Sequence, residues 1–490
     1  MIVARRRNLF IKKIGIVGMG VSGLAVLLAI SHKKQEELAH LDIYCFDDSD
    51  HFGRGIPFQK DDKSALINSP IDDISFDYRH MADFKEWLQK NGHDTQVSYV
   101  SRSLYGKYMS ERAKTLISKL PVTIIKKRVE EVVYLPKSHT WQLKIEGQSF
   151  SQNFDELHLA CGELPVSDPY HLEARPNYIS DPYPIQNLAK ESWAKKTVGV
   201  IGTGLAAVDV IKWLLLNTEA TIMAFSRSNF FPTVRIIDGP AIDWQFFTDK
   251  KLEEALRRDK QRFDMSSFEA LFFGELQALG FSDWKKTRKQ FLAPGIKGIS
   301  LSLEYSRQVY FLQQLASRVT EWFTDLWPLM TLSDRQAYQK RYSKAIVNLR
   351  NPMPAESAHI ILEAASNKRL TDVEGVSDII GLKKGFSLKR KKDSDISLDS
   401  VINATGYHLK QDNLAKASPI IQSLIDQALC QIDIQGGFTV LVESSQVISP
   451  RYGVLPNLYA HGALINGVIY QNNSTIKIQK MAERAFCPRT

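Results

Sequence analysis

Ile14-Gly-Ile-Val-Gly-Met-Gly-Val-Ser-Gly23 is the stretch of sequence that decides the fold. An apolar run leads into Gly18, Gly20 and Gly23, and a second apolar run continues from Ser22 to Ser31. Glycines at this spacing allow a tight turn, a close approach of the backbone to a pyrophosphate and close packing of a helix on a strand. A helix beginning here would offer free N–H groups to an anion. We therefore expect a strand, a phosphate-binding turn and a helix.

A second strand is predicted at Leu41–Phe46, and it ends in an acidic residue, Asp47. A carboxylate at the end of the second strand of such a unit binds the ribose hydroxyls of a dinucleotide. Asp47 follows Gly18 by 29 residues, more than the usual spacing of about 20, and the polar stretch 33–40 accounts for the excess. Asp48 is the alternative candidate for the same role.

The same plan returns with a strand at Thr197–Ile201, a helix at Leu205–Leu216 and a further strand at Ala220–Phe225. The candidate nucleotide contacts at its turn are Gly202, Gly204, Leu205 and Ala207. Alanine in the third glycine position is a permitted variant of this fingerprint. Two such units in one chain predict two dinucleotide-binding domains.

Arg227 takes the place of the acidic residue in the second unit, within Phe225-Ser-Arg-Ser228. A carboxylate would repel a 2′-phosphate, whereas a guanidinium binds one with paired donors. This favours NADPH over NADH as the second dinucleotide. A surface arginine at the end of a strand is the alternative interpretation.

Two later segments, Leu157–Gly162 and Val401–Gly406, are apolar strands that end in small residues, as is needed where the chain passes close to a cofactor. A last apolar segment, Leu458–Gly462, precedes the C-terminal residues. The candidate contacts that they supply are Gly162, Thr405, Gly406 and Gly462.

The predicted fold class is α/β, with two Rossmann-like dinucleotide-binding domains and a helical insertion, because 490 residues exceed one ordinary core. Between about Trp244 and Lys344 helical periodicity replaces strand signals, and strands are expected to resume from Ala358. The predicted segments are an FAD-binding domain at 1–175 and 407–490, an NAD(P)H-binding domain at 176–240 and 346–406, and a helical insertion at 241–345 that forms a substrate or lid region.

The amino-acid composition and charge limit the kinds of binding partner that we expect. Hydrophobic residues make up 44% and charged residues 24%, as in ordinary globular proteins. The net charge of +9 is spread along the chain, and its dense run at 383–392 reads as a solvated hairpin or loop. We therefore expect a small-molecule substrate and no nucleic acid. The oligomeric state is left open.

The N-terminal residues 5–30 imitate an export signal, with basic residues followed by an apolar run. Cleavage there would remove the first glycine turn, and the run is short for a membrane span. The four cysteines, Cys45, Cys161, Cys430 and Cys487, form no Cys-x-x-Cys pair. We expect a cytoplasmic protein without a membrane anchor, and we predict no metal, since the sequence lacks the usual ligand motifs.

The chain resembles the bacterial FAD/NAD(P)-binding protein family of two-Rossmann flavoproteins, relatives of the flavin monooxygenases and N-hydroxylating monooxygenases. The likeness follows an ordered series of motifs: Gly18–Gly23, Phe52–Phe58, Leu66–Asn68, Arg102–Tyr108, Asp181–Pro184, Gly202–Asp209, Ser226–Arg227, Arg350–Pro354 and Ala404–Gly406. The resemblance implies that Gly53, Arg54 and Gly55 line the phosphate and ribityl region of FAD, and that Asn68 approaches the flavin.

Two features depart from the pattern of these flavoproteins. The acidic residue that often follows the last strand is replaced by Ala460-His-Gly462, so the backbone or His461 must substitute. His461 is a candidate acid or base, although a structural histidine is the expectation we favour. The Phe-x-Gly-x-x-x-His fingerprint of flavin monooxygenases is also absent.

These observations predict an FAD-dependent oxidoreductase in which NADPH reduces the flavin and the flavin passes electrons to oxygen and a small substrate, as in a monooxygenase. The chain offers no cysteine pair, serine nucleophile motif or metal motif, so the flavin must supply the redox chemistry. Two alternatives stay open: an NADPH dehydrogenase or oxidase without oxygen insertion, and a sensor that binds cofactors without turnover.

Overall fold

The computed structural model describes residues 11–49, 52–258 and 262–488. Its strands, in chain order, are β1 (Lys12–Val17), β2 (Leu41–Phe46), β3 (Val122–Ile125), β4 (Val129–Leu135), β5 (Thr140–Ile145), β6 (Gln148–Phe154), β7 (Glu156–Leu159), β8 (Tyr178–Ile179), β9 (Thr197–Ile201), β10 (Thr221–Phe225), β11 (Leu370–Asp372), β12 (Val376–Gly381), β13 (Phe386–Arg390), β14 (Ile396–Leu398), β15 (Ser400–Asn403), β16 (Gln446–Ser449) and β17 (Gly453–Ala460).

Its α-helices are α1 (Val21–Ser31), α2 (Gln35–Leu38), α3 (Asp83–Lys90), α4 (Arg102–Ile117), α5 (Leu205–Asn217), α6 (Asp249–Arg258), α7 (Met265–Ala278), α8 (Trp284–Phe291), α9 (Ile296–Glu304), α10 (Ser306–Leu326), α11 (Leu332–Tyr338), α12 (Lys344–Arg350), α13 (Ala355–Ser366), α14 (Pro419–Asp426) and α15 (Thr475–Glu483). None of these described helices is both long enough and apolar enough to cross a membrane.

The chain folds into two compact units. The first is built from three separate segments, Met1–Lys60, Ile71–Pro165 and Tyr407–Thr490. The second consists of Asp61–Pro70 and Val166–Gly406. Each unit contains one wholly or mainly parallel sheet and one of the two glycine turns, and this confirms the predicted α/β class.

The sheet of the first unit has the strand order β16-β17-β7-β1-β2-β3, and only β16 runs antiparallel to its neighbour. Val17 lies opposite both Phe46 and Leu159, and Leu159 lies opposite Ala460. The carboxyl ends of β1, β2, β7 and β17 therefore meet at one edge of the sheet, which is where ligands bind in such folds.

Helix α1 explains why its sequence is apolar on every side. Its residues from Gly23 to Ile30 are all buried, and the helix packs against both α4 and α15 as well as β1. A helix surrounded in this way has no solvent face that would require polar residues. The close passage of α1 over β1 depends on Gly23, as described below.

The second unit repeats the arrangement with a fully parallel sheet, in the order β11-β10-β9-β15-β8. Ile201 lies opposite Phe225 and Asn403, so the residues that follow β9, β10 and β15 share one edge. Helices α5 and α13 pack together beside this sheet. A separate hairpin sheet, β12-β13-β14, carries part of the basic run at 383–392, in agreement with the predicted hairpin.

Helices α6 to α12 lie between β10 and β11 in the second unit, where an insertion was expected. Their tryptophans are packing residues in the main, since Trp322 and Trp327 are 3% and 1% exposed. Glu275 of α7 is fully buried, and its carboxylate accepts N–H bonds from Gln245, Phe246 and Phe247. The buried Glu275 carboxylate therefore fixes the backbone of residues 245–247, where the chain enters the helical region.

The expectation that strands resume from Ala358 is wrong. Helix α13 occupies this position, and strands return only with β11. Ser357, Ala358, Ile361 and Ala364 are its buried residues, a spacing of three to four that is helical. A short apolar run is compatible with either a buried strand or a helix, so its composition alone does not separate the two.

Candidate functional site

The first glycine turn leaves no room for a Cβ at Gly18 or Gly23 and little room for one at Gly20. Gly18 has φ of 93°, and a Cβ there would lie 2.6 Å from the carbonyl oxygen of Ala160. A Cβ on Gly23 would lie 2.0 Å from the oxygen of Gly18, and one on Gly20 would lie 3.1 Å from the Cα of Gly55. These contacts bring helix, strand and turn together as closely as the backbone allows.

The N-terminus of α1 is open to an anion. Gly20 caps the helix with no side-chain hydrogen bond, and the first turn contains no acidic residue. The free N–H groups and the positive end of the helix dipole are therefore uncompensated. Ser22 lies in this first turn and lines the adjacent cavity.

Asp47 and Asp48 have different environments. The Asp47 carboxylate accepts hydrogen bonds from the backbone N–H of Met19 at 2.6 Å and of Ser49 at 2.8 Å. Burial raises the pKa of Asp47, and these bonds oppose the rise. Asp48 instead forms an exposed ion pair with Arg128, at 2.9 Å. Asp47 is thus the carboxylate joined to the glycine turn.

A cavity of about 590 Å³ lies at this edge of the first sheet. Seven of the predicted cofactor contacts line it: Gly18, Gly20, Ser22, Asp47, Arg54, Gly55 and Gly162. The cavity is lined by all three chain segments of the first unit, since Ile420 and Thr475 also contribute. Its position at the carboxyl ends of β1, β2 and β7 is that of a nucleotide site in a Rossmann-like fold.

Arg54 supplies a positive charge to the cavity wall. Its Nε donates to the carbonyl of Gly106 at 3.2 Å and to Ser110 Oγ at 2.8 Å. Burial lowers the pKa of Arg54, although a guanidinium stays charged at any physiological pH. Within the described residues its Nη groups make no hydrogen bond, so they are available to an anion.

Gly53, Gly462 and Gly23 support the cavity without lining it. Gly53 has φ of 88° and donates its N–H to Met19 O at 2.7 Å. Gly462 has φ of 63°, and a Cβ there would come within 1.9 Å of Ser22 Oγ. Substitution at either position would displace residues of the wall.

Two polar side chains of the cavity were missed by the sequence analysis. Asn472 is 1% exposed, and its Nδ2 donates to the Gly462 carbonyl at 2.9 Å. Among the described residues, neither the buried Asn472 Oδ1 nor the buried Ser418 Oγ has a hydrogen-bond partner. A Ser474 helix cap before α15 was the only local signal, and it does not reveal that the chain returns to the first cavity.

His461 belongs to a buried hydrogen-bonded row at the ends of β7 and β17. Its Nε2 lies 2.9 Å from His158 Nδ1, and His158 Nε2 lies 2.9 Å from Glu156 Oε1. Lys12 closes the row with a bond of 2.5 Å to Glu156. Burial, and then the charge of His158, holds the pKa of His461 well below its usual value. His461 does not line the cavity, so the structural interpretation stands.

The second glycine turn has the same construction. Gly202 has φ of 117°, and a Cβ there would lie 2.7 Å from Ala404 O. Gly204 caps α5 without a side-chain bond, Leu205 begins the helix, and Ala207 is fully buried. The helix N-terminus again carries no acidic residue. The N-terminus of α5 is therefore uncapped by side chains, as is that of α1.

The loops beside that turn hold the other predicted contacts. Arg227 is exposed just beyond β10. Thr405 donates its Oγ1 hydrogen to Asn403 Oδ1 at 2.8 Å, and Gly406 has φ of 84° with open space where a Cβ would lie. Asn68 is half-buried in the 61–70 segment of the second unit, so its predicted approach to the flavin stays a prediction.

One side-chain cluster has the spacing of a metal site: His80, Asp83 and Glu86 can bring ligand atoms within 4.8 Å of one another. Asp83 is already held by two bonds from Arg112 and one from Tyr108. Its carboxylate charge is neutralised by the guanidinium, so the cluster carries no metal assignment.

Residues 15–164 match the family model described as FAD-NAD(P)-binding, and the sequence matches no curated protein. Among solved structures, the chain is similar to a cadaverine monooxygenase of desferrioxamine biosynthesis from Erwinia amylovora, bound to FAD, with a TM-score of 0.59, 14% identity and coverage of 98% of this chain and 94% of that one. It is similar to L-lysine 6-monooxygenase from Pseudomonas syringae, with a TM-score of 0.59, 14% identity and coverage of 96% and 97%.

A third similar structure is an ornithine N-hydroxylase from Kutzneria, solved with reduced FAD, NADP⁺ and L-ornithine, with a TM-score of 0.52, 13% identity and coverage of 98% of both chains. At these identities the likeness establishes the fold. The chain has the fold of these two-dinucleotide flavoproteins, and its residues 15–164 match the FAD-NAD(P)-binding model. The resemblance stated from the sequence is confirmed at this level.

Proposed function

We propose that the chain is an FAD-dependent, NADPH-using oxidoreductase of the monooxygenase type that acts on a small molecule. The observation that carries the proposal is the cavity of about 590 Å³ at the first glycine turn. Its wall combines an open helix N-terminus, the cation Arg54 and the carboxylate Asp47. This is the set of groups that a dinucleotide needs.

The pyrophosphate and the ribose of FAD have matching groups in the wall. The N-terminus of α1 and the free Nη groups of Arg54 suit the pyrophosphate. Asp47 suits the ribose hydroxyls, and the buried Asn472 Oδ1 and Ser418 Oγ lack partners that a bound flavin nucleotide would provide. We assign the remaining predicted contacts Gly162, Gly55 and Ser22 to the same nucleotide, and Gly202, Gly204 and Arg227 to NADPH.

FAD would accept a hydride from NADPH and pass electrons to oxygen, which is chemistry that the cofactor itself supplies. The protein residues bind and orient the two dinucleotides. The apolar side chains around the glycine turns, such as Ile56 and Ile420, exclude water from the cavity. No residue of the described chain is assigned as a catalytic acid or base. The predicted cytoplasmic location stays a prediction.

A primary amine is the substrate class to test first. The similar solved structures are named for cadaverine, lysine and ornithine, and these compounds share a primary amine on an alkyl chain. The helical region α6–α12 is our candidate for substrate selection, because the two glycine turns are committed to cofactors.

The experiment begins with the cofactor released from purified protein by heat, which we expect to be FAD. Under anaerobic conditions NADPH should bleach the flavin absorbance. In air, NADPH consumption should rise with a primary amine and yield hydroxylated product. Ketones, quinones and amino acids complete the screen.

The results separate the alternatives. Free production of peroxide with every amine and ketone, or electron delivery to a quinone, would favour an oxidase or dehydrogenase. A yellow protein whose flavin is not bleached by NADPH would favour a cofactor-binding sensor. Protein that contains no flavin after reconstitution with FAD would overturn the proposal.

A further inference from the structure

The hairpin formed by β12 and β13 ends in a turn that combines exposed apolar and basic side chains. Ile380 and Leu382 are 44% and 49% exposed, and the exposed Lys383 and Lys384 follow them at the apex. The Leu382 N–H donates to Gly385 O at 3.0 Å and closes the turn. We call residues 380–384 the hairpin tip. It belongs to neither glycine turn, so its composition needs a separate explanation.

The hairpin is held in place from its inner side. Ile379, Phe386, Leu388 and Leu398 belong to one core cluster and are at most 2% exposed. Gly385 has φ of 70°, and a Cβ there would lie 2.3 Å from the carbonyl oxygen of Leu398. The turn therefore lies tightly against the end of β14. The core of this small sheet is complete without the apolar residues of the hairpin tip.

The positive charge of the hairpin tip is not compensated by the described part of the chain. Between residues 379 and 388 the sequence contains two lysines and no acidic residue, and neither lysine makes an ion pair with a described residue. The basic residues that end β13 do have acidic partners, in the pairs Lys389–Asp395 and Arg390–Asp393. The uncompensated charge is thus at the apex of the hairpin.

A third cation reaches the hairpin tip from a distant segment of the chain. A Cβ on Gly381 would lie 3.0 Å from Nε of Arg175 and 3.2 Å from its Cδ, so the arginine side chain lies against the strand beside the tip. Arg175 is exposed, and within the described residues it makes no ion pair. Two separate segments therefore bring positive charge to the same pair of apolar side chains.

Exposed apolar side chains surrounded by cations fit the surface of an anionic lipid bilayer. Such a surface offers phosphates to the cations and an apolar layer just beneath them. Lysine suits this boundary, because its alkyl stem can lie along apolar groups while its ammonium stays at the level of the phosphates. The net charge of +9 favours approach to any anionic surface. An acidic protein would need, in addition, an apolar groove that accepts the tip.

We propose that the hairpin tip docks on membranes that contain anionic phospholipids. Ile380 and Leu382 enter the interfacial layer, and Lys383, Lys384 and Arg175 contact the headgroup phosphates. The contact is peripheral and requires no membrane-spanning helix. It goes beyond the proposed redox function and does not depend on either dinucleotide.

The test uses full-length, FAD-loaded protein and sedimentation with two kinds of vesicle. One kind consists of phosphatidylcholine alone, and the other of equal parts phosphatidylcholine and phosphatidylglycerol. We expect binding to the mixed vesicles and little binding to phosphatidylcholine. Binding should weaken as the salt concentration rises, because salt screens the attraction between the cations and the phosphates.

Charge variants locate the contact. Replacing both Lys383 and Lys384 by glutamine should weaken binding to the mixed vesicles about tenfold or more, and Arg175→Gln should weaken it about threefold or more. The matched control replaces Lys391 and Lys392, two exposed lysines at the other end of β13, and should weaken binding at most about twofold. Bound flavin per protein shows that each variant is folded.

The apolar contribution is tested separately. Leu382→Ser should weaken binding about fivefold or more, because less apolar surface enters the bilayer. Leu332 is 47% exposed on α11, and Leu332→Ser is the matched control that should leave binding unchanged. Equal weakening by the two serine variants would contradict insertion of the hairpin tip.

Hydrogen exchange on the unaltered protein gives a test that needs no variant. Mixed vesicles should slow exchange in peptides that cover 380–386 and leave 389–398 unchanged. Poly-L-glutamate is the probe for an acidic protein partner. Binding to it without binding to the mixed vesicles would overturn the inference in favour of such a partner. Absence of binding to the mixed vesicles, or equal weakening when Lys391 and Lys392 are replaced, would also overturn it.

Discussion

Two neighbouring aspartates at the end of β2 differ in what they can do for a nucleotide. Asp47 is joined to the glycine turn through Met19 N–H, whereas Asp48 is paired with Arg128 at the surface. The sequence could not separate them, because both follow the strand and differ by one position. Both residues lie beyond the last residue of β2, and their partners, Met19 on the glycine turn and the distant Arg128, separate them only in the folded chain.

Replacement of Asp47 by alanine should therefore weaken FAD binding at least about tenfold, because a carboxylate that receives ribose hydroxyls is lost. Asp48→Ala is the matched control and should retain FAD as the unaltered protein does, since exposed ion pairs contribute little. Bound flavin per protein after dialysis, followed by fluorescence titration, measures both. Equal retention in the two variants would contradict the assignment.

Arg227 carries the predicted preference for NADPH. Arg227→Ala should raise the KM for NADPH by the equivalent of about 2 kcal/mol, and it should raise the KM for NADH much less. Arg307 is an exposed arginine on α10, and Arg307→Ala serves as the control for loss of charge. Steady-state kinetics with both nucleotides measures these changes. Similar increases in the KM for NADPH and for NADH would show that Arg227 does not contact the phosphate.

At the scale of elements, the predicted strands β2 and β9 agree with the structure residue for residue, and α1 and α5 differ from their predictions by one residue at an end. These elements are set by local signals, namely apolar runs bounded by glycine turns. Helix α13 lies where the sequence predicts a strand, and no local signal predicts that Asn472 reaches the cavity. Their surroundings depend on contacts between distant segments, which a single sequence does not contain.

The row of buried side chains that joins β7 to β17 should make stability depend on pH. His461 has a lowered pKa in the folded chain, so the unfolded chain binds a proton that the folded chain refuses. The free energy of unfolding should accordingly fall as the pH drops below the ordinary histidine value of about 6.5. His461→Gln should reduce this dependence, whereas His359→Gln, at an exposed position on α13, should not.

Glu156 should make the free energy of unfolding depend on pH in a second, more acidic range. Burial raises its pKa, but the hydrogen bond and charge of His158 and the charge of Lys12 lower it to about 2. A depressed carboxyl pKa stabilises the fold above the unfolded value near 4.5 and loses that effect as the pH falls towards 2. Chemical denaturation from pH 7 to 3 should show both steps, and a flat profile would contradict the buried row.

The carboxylate of Glu275 should be needed to keep the helical region in place. Glu275→Gln replaces an acceptor of three backbone N–H groups by a neutral amide with one acceptor oxygen, and we expect a loss of about 1–3 kcal/mol in the free energy of unfolding. Relative to the unaltered protein, amide hydrogen exchange in Glu275→Gln should increase most in peptides around 245–247. Glu321→Gln, on the exposed side of α10, is the control and should have little effect.

At the scale of the whole molecule, the two glycine turns lie in different units, so their ligands should protect different parts of the chain. NADP⁺ at about 100 times its dissociation constant should stabilise the folded state by about 2.7 kcal/mol. Exchange should slow in 197–230, the region of the second turn, and much less in 12–49. Removal of FAD should instead speed exchange in 12–49 and change it much less in 197–230. Protection by NADP⁺ confined to 12–49 would reverse the assignment of the cofactors.

The three-segment construction of the first unit has a consequence for the order of events during synthesis. Residues 15–164 contain the glycine turn and the whole family match, yet Asn472 and Thr475 of the cavity wall leave the ribosome more than three hundred residues later. The second unit, which ends at Gly406, is complete before the first. The cavity wall of the first unit is therefore completed only after α15 has been synthesised, and we expect stable FAD binding to follow that step.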